Sequence, residues 1–164
     1  MRRIKLSQNR FAVVDDADYD WLMQWKWSLH LIKGKEYASR SEYNPRRHFA
    51  MHREILYRML GKYPRLSDHQ DGNGLNNRRY NLRAATPSQN VCNRSKNRSI
   101  CTTSQYKGVS FWKNDRKWVA EIRVQNERIF LGSFTDEHDA ALTYNRAAKE
   151  RGEFARLNRI RRGK

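Results

Sequence analysis

The sequence predicts an α+β protein assembled from small modules, and three observations carry that expectation. Apolar residues make up 38% of the 164 residues, below the roughly 45–50% usual for a compact domain, so several small cores fit better than one large core. Trp118, Ala120, Ile122 and Val124 alternate with Lys117, Val119, Glu121 and Arg123, the period of a half-buried strand. Residues 64–95 read as strand, loop, strand and helix in close succession.

In chain order, Phe11-Ala-Val-Val14 is strand-like and ends at Asp15, Asp16, Asp18 and Asp20. Such an acidic cluster suits the N-terminus of a short helix carrying Trp21, Leu22 and Trp25. Glu36–Arg40 and His48–Met51 flank Asn44-Pro45 and form a candidate hairpin. Met51, Ile55, Leu56, Met59 and Leu60 share one helical face, with Gly61 as the stop. Pro64 opens a strand to Asp68-His69, and Asp71–Asn77 is a tight loop of residues that tolerate positive φ. Asn81–Ala85 returns as a strand, and Thr86-Pro-Ser-Gln89 starts a helix as a capping box. Residues 94–103 are basic, polar and aperiodic, as a linker would be. Tyr106–Trp112 and Glu127–Leu131 are the expected partners of the 117–124 strand, with turns at Asn114-Asp115 and Gln125-Asn126. A helix follows from Asp136 to about Lys149, with a small-residue face of Ala140, Ala141, Tyr144, Ala147 and Ala148 suited to lying across a sheet.

The charge narrows the function. Lys and Arg outnumber Asp and Glu by 14 to 7 over residues 1–67, 6 to 2 over 68–103 and 14 to 8 over 104–164, for a net +17. A basic excess spread over the whole length suits a molecule laid along a polyanion, and with 12% aromatic residues it favours nucleic acid over an anionic membrane. Cys92 and Cys101 supply neither a disulfide framework nor the four ligands of a structural zinc site. The amino-terminal MRRIKLSQNRF lacks an apolar stretch after its basic residues, and no long apolar run occurs. The expectation is a cytoplasmic protein of a bacterial or phage-infected cell, not secreted and not in the membrane.

Phosphodiester hydrolysis needs a base for water and charge stabilisation at the phosphate and the leaving oxygen. A histidine neutral near pH 7 can be the base, and a hard divalent ion on oxygen ligands can supply the charge. Asp68-His69, Asn81 and Asn90 fall on the first strand, the second strand and the helix of residues 64–95, where such groups can converge. Asp71-Gly72-Asn73 reads chiefly as a turn, Asn76 and Asn77 as loop residues, and the pattern of a calcium loop is not met, since Arg79 stands where its late Glu belongs. His30, His48, His52 and His138 read as structural.

Asp68-His69-Gln-Asp-Gly-Asn73, Asn81-Leu-Arg83, Thr86 and Ser88-Gln-Asn90 resemble the HNH nucleases of the homing-endonuclease type. Met51-His-Arg-Glu-Ile55 resembles the segment before their motif, and the likeness covers roughly residues 1–97. The resemblance implies a strand–strand–helix metal fold. It implies His69 as general base, Asn81 as the residue orienting its imidazole, and Asp68 and Asn90 as ligands of one Mg2+ or Mn2+.

Tyr106-Lys-Gly-Val109, Lys117–Arg123, Leu131-Gly-Ser-Phe134 and Ala140–Tyr144 with Ala147-Ala148 resemble the apetala-two/ethylene-response-factor DNA-binding domain over about residues 104–158. That family lays a three-stranded sheet, backed by one helix, in the major groove. By position its contacts fall on Lys107, Ser110, Trp112, Glu121, Arg123, Arg128 and Phe130. Glu121, Arg123 and Arg128 keep the family's residue type, whereas Ser110, Trp112 and Phe130 depart from it, so the target sequence does not carry over. Arg94, Lys96 and Arg98 of the linker are further candidate phosphate contacts.

The expected organisation is a DNA-contacting segment at 1–63, a nuclease core at 64–97, a linker at 98–103, the DNA-binding domain at 104–158 and a basic tail at 159–164. The expected activity is metal-dependent hydrolysis of double-stranded DNA by a monomer, as a nick, since one nuclease centre and no dimerisation heptad are present. The competing readings are a non-cleaving DNA-binding regulator on the same scaffold and, more weakly, an RNA-binding protein, for which no aromatic RNA-binding motif is present.

Overall fold

The computed structural model describes residues 1–94, 96, 103–125 and 127–160. It is α+β, as expected, and divides into two compact units, Met1–Asn90 and Val91–Lys164.

In the N-terminal unit, β1 (Arg2–Lys5) pairs antiparallel with β2 (Phe11–Val14), and α1 (Asp16–Leu22) follows. Strands β3 (Ser28–Ile32), β4 (Lys35–Glu42) and β5 (Arg47–Ala50) form an antiparallel sheet in that order. Helix α2 (Met51–Leu60) ends at Gly61, whose φ of 70° is the left-handed conformation the stop signal asks for. Strands β6 (Ser67–His69) and β7 (Leu82–Ala84) pair in the register Asp68↔Arg83 and His69↔Leu82. Asn81 closes a 3-10 turn, Arg79–Asn81, just before β7. Helix α3 (Pro87–Cys92) opens on the capping box: Thr86 N donates to Gln89 Oε1 at 2.7 Å and Gln89 N to Thr86 Oγ1 at 3.3 Å.

One apolar cluster holds this unit together. Ile4, Ala12, Val14, Leu22, Trp27, Ala38, Met51, Ile55 and Leu56 share it with Leu75 and Leu82 of the motif region. Residues 1–63 thus share one apolar core with the motif region, and both stretches fall within one compact unit. A strand–strand–helix unit is too small to bury much apolar area by itself, and here the core of its neighbours does so. The acidic cluster has a related task. Asp18 is fully buried, with ion pairs to Arg58 at 2.8 Å and Arg79 at 2.7 Å, and Asp15 Oδ2 accepts from Arg79 N at 2.7 Å. These carboxylates tie α1 to α2 and to the turn before β7, and no side chain caps α1.

In the C-terminal unit, β8 (Val109–Trp112), β9 (Lys117–Val124) and β10 (Glu127–Phe134) form an antiparallel sheet in the order β10-β9-β8, backed by α4 (Glu137–Lys149). Asp136 caps α4, its carboxylate accepting from His138 N and Asp139 N. Tyr106, Val109, Ala120, Ile122, Ala140, Ala141, Tyr144 and Ala148 are the buried apolar side chains between sheet and helix. Small residues let the helix approach closely. A Cβ on Gly108, at φ +72°, would lie 2.1 Å from the Tyr144 ring. Among the described residues no helix is long and apolar enough to cross a membrane. The division at residue 90 precedes the expected linker, most of which lies outside the described residues, as do Cys101 and the tail beyond Ile160.

Candidate active site

The loop between β6 and β7 determines what the site can do. Gly72 N donates to His69 O, Asn73 N to Asp71 Oδ1 and Leu75 N to Asn73 Oδ1, the local closures that make Asp and Asn turn residues. Val13 of β2 clamps the far side of the loop, its N–H donating to Leu75 O at 2.8 Å and its carbonyl accepting from Asn77 N at 2.7 Å. The loop's amides are thereby ordered before any ligand arrives.

His69, 7% exposed, stands at the end of β6. Its Nε2 meets Asn77 Oδ1 at 3.3 Å, and Asn77 Nδ2 donates to Gly74 O at 3.5 Å. With the amide nitrogen committed to a carbonyl, the amide oxygen faces the imidazole, so Nε2 carries the proton and the lone pair belongs to Nδ1. Burial pushes the imidazole below its usual pKa, opposed by the Asn77 hydrogen bond and the Asp71 and Asp68 carboxylates. The ring is therefore neutral near pH 7, the state a general base needs.

Asn81 has a different neighbourhood from the one the resemblance implies. Its Oδ1 accepts from Asp71 N at 3.0 Å, while its Nδ2 donates to Asp71 Oδ1 at 3.0 Å and to Asn76 O at 2.7 Å. At 1% exposure it staples the loop, and the side-chain amide at the His69 ring is that of Asn77, four residues earlier. Asp71 takes a further bond from Asn76 Nδ2 at 2.6 Å. Burial works to raise its carboxyl, but the bonds from Asn76, Asn73 and Asn81 outweigh it and hold the group below its usual range. Sequence alone marks Asn77 only as one of several loop asparagines.

Asp68 Oδ2 accepts from both Arg83 Nε, at 3.0 Å, and Arg83 Nη2, at 2.8 Å, across the β6–β7 register, which fixes the plane of the carboxylate. Asn90 Nδ2 reaches Ser67 O at 3.5 Å, placing the amide beside the strand that carries Asp68 and turning its oxygen away from that carbonyl. A carboxylate and an amide oxygen are the hard donors that Mg2+ or Mn2+ takes, so the donor chemistry fits such an ion. Among the described residues no cluster of three or more His, Cys, Asp or Glu side chains suits a metal. Any ion here would draw on this mixed pair.

Two further groups of the N-terminal unit stand at the site. The His52 ring of α2 lies 4.9 Å from the His69 ring, edge-on at 68°, and Tyr37 of β4 lies 5.9 Å from His69 and 5.8 Å from His52. Burial, and then the Asp68 carboxylate, raises the Tyr37 hydroxyl above its usual pKa. Tyr37 lies in none of the motif stretches, and His52 lies in the Met51–Ile55 segment without being marked there as a site residue. Both arrive through long-range packing of β4 and α2.

In the C-terminal unit the candidate contacts separate into two groups. The pairs Trp112↔Lys117, Ser110↔Val119, Phe130↔Glu121 and Arg128↔Arg123 share one face of the sheet, opposite to Ala120 and Ile122, which face α4. Trp112, Arg123, Arg128 and Phe130 are exposed there, and Ser110 and Glu121 half-buried. Arg128 directly opposite Arg123 is an unfavourable cross-strand pair by itself and suits an anionic surface. Lys107 and Lys96 are used differently. Lys107 Nζ donates to Cys92 O at 2.7 Å and Arg94 O at 2.8 Å, and Lys96 Nζ to Tyr106 O and Val109 O, both at 2.8 Å. Burial lowers the pKa of both ammonium groups. Arg94 is exposed, and Arg98 lies outside the described residues.

No family model matches the chain. Over 73 residues, 44% of the chain, it is 38% identical to an AP2-like ethylene-responsive transcription factor of Arabidopsis thaliana, and over 57 residues it is 40% identical to APETALA2-like protein 2 of Oryza sativa. It spans only 15% and 13% of those two plant proteins. Over 116 residues it is 38% identical to an uncharacterized HNH endonuclease of Acanthamoeba polyphaga mimivirus, covering 67% of this chain and 57% of the viral protein. A match covering 67% of 164 residues contains the middle of the chain wherever it begins, and with it Asp68, His69, Asn81 and Asn90. The chain is thus similar to an HNH endonuclease of a virus and to apetala-two proteins of plants.

Proposed function

We propose that the chain is a divalent-metal-dependent endonuclease that hydrolyses phosphodiester bonds of double-stranded DNA, one strand at a time, and grips its target through the sheet face of the C-terminal unit on which Trp112, Arg123, Arg128 and Phe130 are exposed. The observation that carries the reading is the buried His69 imidazole, held with Nε2 3.3 Å from Asn77 Oδ1, beside Asp68 and the strand that Asn90 is tied to. The similarity to an HNH endonuclease across that stretch supports it.

His69 Nδ1 takes a proton from water as the water oxygen bonds to phosphorus. The bond to the 3′-oxygen then breaks and that oxygen takes a proton from solvent water, leaving 5′-phosphate and 3′-hydroxyl ends. Asp68 and Asn90 would hold the Mg2+ or Mn2+, which when bound supplies charge stabilisation at the phosphate and the departing oxygen. Arg83 keeps the Asp68 carboxylate in one orientation. Asn81 and Asp71 keep the loop, and through it Asn77, from drifting. Duplex affinity comes from elsewhere: Arg123 and Arg128 meet phosphates or base edges, with Ser110, Trp112, Glu121 and Phe130 on the same face.

Incubation with supercoiled plasmid tests the reading. Open-circular DNA is expected with Mg2+ or Mn2+ and none with EDTA. His69→Ala is expected to slow nicking about 10²- to 10⁴-fold while duplex affinity is unchanged. Tight duplex binding with no cutting under either ion would instead support a non-cleaving regulator.

A further inference from the structure

Helix α2 brings one polar group to the site that the mechanism above leaves unused. His52 sits in its first turn, with its ring against His69 and Tyr37. Its Nδ1 is enclosed and has no hydrogen-bond partner. Enclosed nitrogens of this kind are uncommon, because an unmade bond costs the desolvation of the group. The opposite nitrogen, Nε2, is not enclosed.

At neutral pH the ring carries one proton, since burial, with His69 and Arg53 acting in the same direction, pushes its pKa down to about 3. That proton has two places to go. On Nδ1 it would be a buried donor facing no acceptor, the rarer and costlier defect in folded proteins. On Nε2 it reaches the open side of the ring, and only a lone pair is enclosed. The geometry points to His52 as a second imidazole of the site, a fixed Nε2–H donor that hydrogen-bonds a non-bridging oxygen of the substrate phosphate beside His69. The two imidazoles then divide the labour by tautomer and surroundings: His69 presents a lone pair to water and His52 an N–H to the phosphate anion. A donor held in place before the charge develops stabilises it without reorganisation.

The identity of the anion rests on the nuclease reading, whereas the tautomer does not, and the experiment keeps them apart. Long-range 1H–15N spectra of the full-length protein at pH 7 are expected to show His52 protonated at Nε2. Protonation at Nδ1, or at both nitrogens, overturns the inference. A short DNA duplex added in EDTA is expected to shift the His52 Nε2–H resonance, and an unmoved resonance at saturating duplex overturns it as well. In plasmid nicking, His52→Phe keeps the ring and removes the donor, and is expected to lower kcat about 10- to 100-fold with duplex affinity unchanged. His52→Gln restores an amide donor and is expected to recover part of that loss. If the wild-type protein nicks and His52→Phe nicks equally well, the inference fails and the nuclease reading stands. If the wild-type protein nicks nothing, the nuclease reading fails, and the two spectra still decide whether His52 is an Nε2–H donor to a DNA phosphate.

Discussion

The two units bury different kinds of side chain. In the N-terminal unit Asp18, Arg40, Glu54, His69, Asn76, Asn77 and Asn81 are all buried, and most of them lie in or next to the candidate active site. In the C-terminal unit the buried polar side chains among the described residues are Asn93 and Ser104, and the core is alanine, valine, isoleucine and tyrosine. A buried polar group is costly unless bonded. Each bonded one fixes a specific arrangement, which is what a reacting centre needs. An apolar core fixes little beyond the approach of helix to sheet, and the C-terminal unit leaves Trp112, Arg123, Arg128 and Phe130 outside, on a face. One unit is built to hold groups inward, the other to present them outward.

The largest test of that contrast is Asp18. Its carboxylate is fully buried, and it accepts from the partly exposed guanidinium groups of Arg58 and Arg79, so removing it costs charge-assisted hydrogen bonds that solvent replaces only in part. Asp18→Ala is expected to destabilise the N-terminal unit by about 2–3 kcal/mol, while amide-exchange protection of Ala120 and Ile122 in β9 is unchanged. Equal loss of protection in both units would mean that they unfold as one and that the contrast has no thermodynamic content.

Acid sharpens the comparison. His52 has a folded-state pKa of about 3 and an unfolded value of about 6.5. Above about pH 6.5 both states are neutral at this ring and stability does not depend on it. Below that the unfolded chain takes the proton and the folded one does not, until about pH 3. Stability of the N-terminal unit is therefore expected to fall as pH falls through this window, by about 1.4 kcal/mol per pH unit for one proton, with His69 acting in the same direction. Urea midpoints at pH 7, 6 and 5 measure it, and His52→Phe should flatten the slope. A slope unchanged in that variant would place the titrating group elsewhere.

Legibility followed the same division. The period-two run of β9, the acidic start of α4, the Thr86 capping box and the Gly61 stop are local signals, and each stands in the structure where the sequence puts it. Strand β3 was not legible, because Leu29 is its one residue that is not exposed and no alternation is imprinted on it. Asp18 reads as a helix-dipole residue until Arg58 and Arg79, 40 and 61 positions away, are folded against it. His52 is 17 residues from His69 in the chain, and although Met51–Ile55 resembles the segment before the motif, that likeness does not say which of its residues meets His69. Asn77 and Asn81 are the same residue type in the same loop, and only the fold decides which one meets the imidazole.

The smallest expected effect bears on the outward face, where charge counting treats lysine and arginine alike. Lys107 matches a contact position by sequence, yet its ammonium is spent on the carbonyls of Cys92 and Arg94, whereas Arg123 and Arg128 stand exposed opposite one another. Each phosphate contact releases counterions, so removing one lowers the slope of log K against log salt by about 1. Arg128→Ala is therefore expected to weaken duplex binding and make its salt dependence shallower by about that amount, with unfolding of the C-terminal unit nearly unchanged. Lys107→Met should do the reverse. The salt slope stays, because the lysine never reached a phosphate, and stability falls, because two carbonyls lose their donor. Binding titrations of a short duplex at several salt concentrations, set beside urea unfolding of each variant, separate the two outcomes. A salt slope that drops in Lys107→Met would mean that the ammonium leaves its carbonyls for DNA, and that this unit too holds a group inward until its ligand arrives.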